Sequence, residues 1–73
     1  MRLVEAKIGE VLRVVGVSNA KANARLLRVG LYPGDRLRLL REAPLGGPLL
    51  VDAGGREIAL GRAVAAQIIV EPE

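Results

Sequence analysis

The chain has 73 residues, 51% of them hydrophobic, and a net charge of +3 from 11 Lys and Arg against 8 Asp and Glu. That is one foldable domain, residues 1–73, of a size whose margin of stability is thin. With one Tyr and no Phe or Trp the core has to be aliphatic, and with no Cys and no His the chain excludes disulfides, thiolate metal sites, imidazole bases and every nucleophile that needs a His partner, so a binding module is expected rather than an enzyme.

In chain order, Met1–Glu10 carries acids and a Lys where a signal peptide needs an apolar run. No segment approaches the ~18–20 apolar residues of a membrane span, and a cytoplasmic protein is expected. Gly9, Gly16, Gly30, Pro33-Gly34, Pro44, Gly46-Gly47-Pro48, Gly54-Gly55 and Gly61 then separate short apolar runs, a spacing that suits a small all-β barrel or sandwich. The first strand falls at about Val11–Val17. Val14 and Val15 are adjacent there, so alternation does not assign its inward face.

One helix interrupts the pattern, at about Asn19–Val29. Ser18 or Asn19 can accept its first free N–H groups. Ala22, Leu26 and Val29 recur at i, i+4 and i+7 as an apolar stripe. Arg25 and Arg28 suit the negative C-terminal end. Gly30 stands where a left-handed cap is wanted, with Leu31 folding back onto Leu26.

Tyr32-Pro33-Gly34-Asp35 predicts a type II turn. Arg36, Leu37, Arg38 and Leu39 alternate as a strand, and Leu40 breaks the alternation, which predicts a bulge or a corner. Gly54-Gly55 predicts a two-residue hairpin loop pairing Ala53 with Arg56, Asp52 with Glu57, Val51 with Ile58 and Leu49 with Leu60. A helical turn at Arg62–Ala66 and a last strand Gln67–Glu71 follow, with Ile68 and Val70 inward and Pro72 ending the strand. The sum is a mainly β domain of about five strands and one helix in a partly open barrel.

Three segments together resemble the FeoA family, small cytoplasmic accessory proteins of bacterial ferrous-iron uptake. They are Leu26-Leu27-Arg28-Val29-Gly30-Leu31-Tyr32-Pro33-Gly34, Ala43-Pro44-Leu45-Gly46-Gly47-Pro48-Leu49, and Ile58-Ala59-Leu60 followed by an Ala-rich turn and Ile68-Ile69-Val70-Glu71. Gly61 departs from the pattern, since the family often carries a basic residue there. The resemblance implies an SH3-like barrel with an inserted helix, a fold also found in the C-terminal domain of iron-dependent repressors. It also implies a non-enzymatic partner of the membrane ferrous-iron permease FeoB, with no cofactor and no small-molecule substrate.

The acids Glu5, Glu10, Asp35, Glu42, Asp52, Glu57, Glu71 and Glu73 are scattered, and only Asp52 and Glu57 fall close together, so no specific iron site is expected. One Tyr cannot line a groove for proline-rich peptides. Two contact surfaces remain. The first is the loop Pro44-Leu45-Gly46-Gly47, with Leu45 at its tip. The second is Leu31 and Tyr32 with Arg25, Arg28, Arg36 and Arg38, because Tyr and Arg are favoured at interfaces. The alternative from another class is an RNA- or ribosome-associated barrel using dispersed Arg for phosphate contacts; the absence of a basic cluster argues against it. A single Arg acting on the permease's nucleotide site is a third reading, and no one Arg stands out for it. Exposed edge strands leave weak self-association open.

Overall fold

Five segments of alternating burial form one antiparallel sheet in the computed structural model, which describes residues Met1–Glu73. They are β1 (Val11–Val17), β2 (Arg36–Glu42), β3 (Leu49–Ala53), β4 (Arg56–Leu60) and β5 (Ile68–Pro72), in the spatial order β4-β3-β2-β1-β5. Helix α1 (Ala20–Val29) is inserted between β1 and β2, and the short α2 (Arg62–Ala65) joins β4 to β5. No ladder joins β4 to β5, so the curled sheet is open rather than a closed barrel.

The turns follow from their residues. At the end of α1 the Leu31 N–H bonds to the Leu26 carbonyl and the Gly30 N–H to that of Leu27, with Gly30 at φ 81°; this is the Schellman pair. Asn19 is the N-cap, its side chain accepting from the Ala22 N–H at 2.8 Å, so the helix begins one residue after the expected start. In the Tyr32–Asp35 turn Gly34 has φ 95°, as type II requires, and the Asp35 N–H closes on the Tyr32 carbonyl. The β3–β4 register is the one that the two-residue glycine loop dictates, from Ala53 opposite Arg56 to Leu49 opposite Leu60.

Two bulges resolve what alternation left open. One lies between Leu39 and Arg41, at the break marked by Leu40. The other lies between Val14 and Gly16, so Leu12 and Val14 point inward while Val15 is turned out to solvent. The last strand extends one residue beyond the expected stop: Pro72 pairs with Leu12, and the Glu73 N–H bonds to the Val11 carbonyl. Proline is tolerated there because β5 is an edge strand.

All 17 buried residues are apolar and none is aromatic. The core runs from Leu12 and Val14 through Leu37, Leu39, Leu49 and Val51 to Ile68 and Val70, with Leu26 and Leu31 closing one side. Leu3 and Ala6 also belong to it. A 3₁₀ turn at Leu3–Glu5 places them, and Met1 and Arg2 bond along β5 at Val70 and Ile69.

Candidate functional site

The β2–β3 connection is the one place where a non-glycine residue adopts a positive φ. The Gly47 N–H bonds to the Pro44 carbonyl at 3.1 Å, with Leu45 at φ 59° and Gly46 at φ 72°. Positive φ at both central positions makes this a type I′ turn, a conformation that favours Asn or Gly. Holding a leucine left-handed costs about 1–2 kcal/mol. The Leu45 side chain repays none of that cost within the domain, because it is 103% exposed and touches no core. Strain of this kind is characteristic of sites held for a partner.

The loop is also rigid. The Ala43 N–H bonds to the Pro48 carbonyl at 2.9 Å across its base. Pro44 and Pro48 restrict the flanks, and a Cβ on Gly47 would lie 2.8 Å from the Ala43 Cβ. Rigid display lowers the entropy lost on binding. At its foot a shallow hollow of about 200 Å³ is lined by Arg41, Ala43, Pro48, Leu50 and Ala59 among others.

The second expected surface divides. Tyr32 is 52% exposed, and Arg25, Arg28, Arg36 and Arg38 are exposed as well. Leu31 is not a contact residue: it is 1% exposed, drawn into the core by the helix stop that fixes its backbone. The two surfaces also stay apart. Tyr32 precedes the start of β2 and Leu45 follows its end, and seven extended residues span roughly 23 Å, close to the longest dimension of the molecule, 27 Å. The structure therefore brings Pro44, Leu45 and Gly46 together at one pole and Tyr32 with Arg28 toward the other.

Sequence reading passed over Ile8, which is 64% exposed. The Gly9 N–H bonds to the Leu39 carbonyl, which sets Ile8 beside the half of β2 that leads to Leu45. A lone Ile between Lys7 and Gly9 carries no periodicity, so only the fold shows that it faces solvent.

Part of the basic surface is bonded within the chain. Arg13 and Arg36 stand directly opposite across β1 and β2, and the Glu73 carboxylate bridges them at 2.8 and 2.7 Å. The hydrogen bond from Arg13 holds the Glu73 carboxyl below its ordinary value, opposed by lost hydration and aided by Arg36. Arg56 reaches the carbonyls of Val29 and Gly30. Arg38 stands opposite Asp52. Arg36, Arg38, Arg56, Asp35 and Asp52 are among the residues that line an open groove of about 560 Å³, where Arg36 is paired with Glu73 and Arg38 forms no ion pair. Asp52 and Glu57 face each other across the hairpin, and no three Asp or Glu residues come together in a metal-binding group. No helix is long and apolar enough to cross a membrane.

A family model described as "FeoA domain" matches residues 1–72. Among curated proteins, "Putative Fe(2+) transport protein A" of Methanocaldococcus jannaschii is 34% identical over 70 residues, covering 94% of this chain and 83% of that protein. Among solved structures, the FeoA protein of Chlorobium tepidum is 37% identical, with a TM-score of 0.86 over 99% of this chain and 70% of that one. A manganese-dependent transcriptional repressor, 23% identical, shares the fold, with a TM-score of 0.89 over all of this chain and 41% of its own.

Proposed function

The chain belongs to the FeoA family, and from that membership we propose that it is a non-catalytic interaction module of ferrous-iron uptake that docks on the permease FeoB from the cytoplasm. The observation that carries the docking surface is Leu45: a fully exposed leucine held left-handed on a rigid turn. The turn presents one apolar anchor with Pro44 and Gly46 beside it, and burying an exposed leucine in a pocket on a partner is worth about 1.5–3 kcal/mol. Tyr32 and Arg28, at the other end of β2, form a separate and secondary contact.

The test is binding of this chain to FeoB in nanodiscs, at low and high salt, with a structured RNA as competitor. Saturable binding that resists the RNA and falls at least about tenfold with Leu45→Asp, in a variant that still folds, is the expected result. Unchanged binding by folded Leu45→Asp removes the loop from the interface. Binding to RNA alone, collapsing in salt, would mean that the partner is nucleic acid.

A further inference from the structure

Strand β4 has one neighbour. It lies at the end of the sheet, and β3 is the only element that runs along it. The other sheet edge, β5, is covered in part by Met1 and Arg2. The β3–β4 hairpin closes through two glycines at φ 61° and 87°, so Ala53–Arg56, Val51–Ile58 and Leu49–Leu60 are the mutually hydrogen-bonded pairs. Glu57 and Ala59 therefore point their N–H and C=O groups away from the sheet. No turn, loop or side chain elsewhere in the chain bonds to these groups.

We propose that two copies of the chain pair through their β4 edges, antiparallel about a two-fold axis at Ile58, so that Glu57 of each faces the partner's Ala59. This register is self-complementary, as an isologous contact must be. It satisfies both outward N–H groups and both outward carbonyls of each strand in four main-chain hydrogen bonds. A register centred on Glu57 would oppose two carboxylates, a destabilising arrangement. The register centred on Ile58 opposes Glu57 to a small neutral side chain instead.

The face beyond the edge fits the incoming residue. Arg41, Leu50 and Ala59 lie side by side on β2, β3 and β4, and they line the shallow hollow at the foot of the Leu45 loop. The partner's Glu57 continues that row. Its methylenes lie against Ala59, on the same row as Arg41, an exposed arginine with no ion pair in the single chain. The contact involves one five-residue strand per copy, well short of the area of a standard stable interface. The dimer is therefore weak and governed by concentration.

Sedimentation equilibrium up to millimolar chain tests this, with Ala59 changed to opposite charges. The wild-type chain is expected to show reversible monomer–dimer exchange. Ala59→Glu sets two carboxylates opposite each other twice and weakens the dimer by about tenfold, while Ala59→Lys sets Lys against Glu57 and tightens it by a similar factor. Glu57→Lys combined with Ala59→Glu again sets opposite charges against each other twice and is expected to tighten the dimer to about the Ala59→Lys affinity. Ala59 is exposed, so these variants keep the fold, which melting curves check; the Ala59→Lys arm reads a gain that misfolding would not give. A chain that stays monomeric at millimolar concentration overturns the proposal. So does a dimer that Ala59→Glu and Ala59→Lys shift in the same direction.

Discussion

The guanidinium of Arg56, at the start of β4, donates to the carbonyl oxygen of Val29, the last residue of α1, over 3.2 Å. Its other terminal nitrogen lies 3.4 Å from the Gly30 carbonyl. The final carbonyls of a helix have no partner within it, and they carry the negative end of its dipole. A cation from a distant hairpin thus closes a helix that its own sequence only half closes. Arg56→Ala is expected to fray α1 and cost about 1 kcal/mol, a fall of roughly 5 °C in Tm. Arg56→Lys should recover part of the loss by restoring charge without the fork. Thermal melting followed by circular dichroism reads both.

Leu45 predicts a trade between stability and binding. Asn tolerates the left-handed region that leucine resists, and the Leu45 side chain buries nothing that would be lost. Leu45→Asn is therefore expected to stabilise the free chain by about 0.5–1 kcal/mol while weakening the proposed attachment to FeoB. Chemical denaturation and a binding titration on the same preparation separate the two effects. A variant less stable than wild type would show that Leu45 serves the fold.

Gly47 is required for space rather than for dihedral freedom. Its φ is not positive, yet a Cβ there would meet the Ala43 Cβ at 2.8 Å and the Pro44 carbonyl oxygen at 3.1 Å. Gly47→Ala should force the loop apart and cost about 1–3 kcal/mol, the usual range for overpacking. Gly61→Ala, at a position where a Cβ meets nothing within 4 Å, is the contrasting control, and urea denaturation of both tests the difference.

The acid limb of the stability curve should carry the signature of Glu73. The hydrogen bond from Arg13, and then that from Arg36, set its carboxyl below the ordinary value of 4.5. Glu5 is lowered too, chiefly by the Arg2 N–H. A group depressed on folding contributes fully above its unfolded pKa, and the contribution drains away as pH falls through the folded one. Glu73→Gln is expected to be less stable than wild type at pH 7, with the gap closing below pH 4.5 as the wild-type carboxyl protonates. Melting temperatures of the two proteins across that range provide the check.

Wherever neighbours in the chain decide the backbone, local chemistry was sufficient for the fold. Gly54-Gly55 sets the hairpin register, Asn19 and Gly30 bound the helix, and Pro33-Gly34 sets the turn after it, because each acts within four residues through a dihedral or a cap. The anchor of the candidate site was legible in the same way, as a leucine between prolines and glycines at a loop tip. Tertiary structure alone decided the rest. It buried Leu31 and Leu3, and it turned Val15 and Ile8 to solvent. It set Arg56 on a helix end 26 residues away from it in sequence, and it separated Tyr32 from Leu45 by the length of β2. It also left the outward groups of Glu57 and Ala59 without a strand to meet. The reason is range: caps and turns are settled by bonds within a few residues, whereas burial, edges and cross-sheet contacts depend on which strand lies beside which, and no local pattern encodes that.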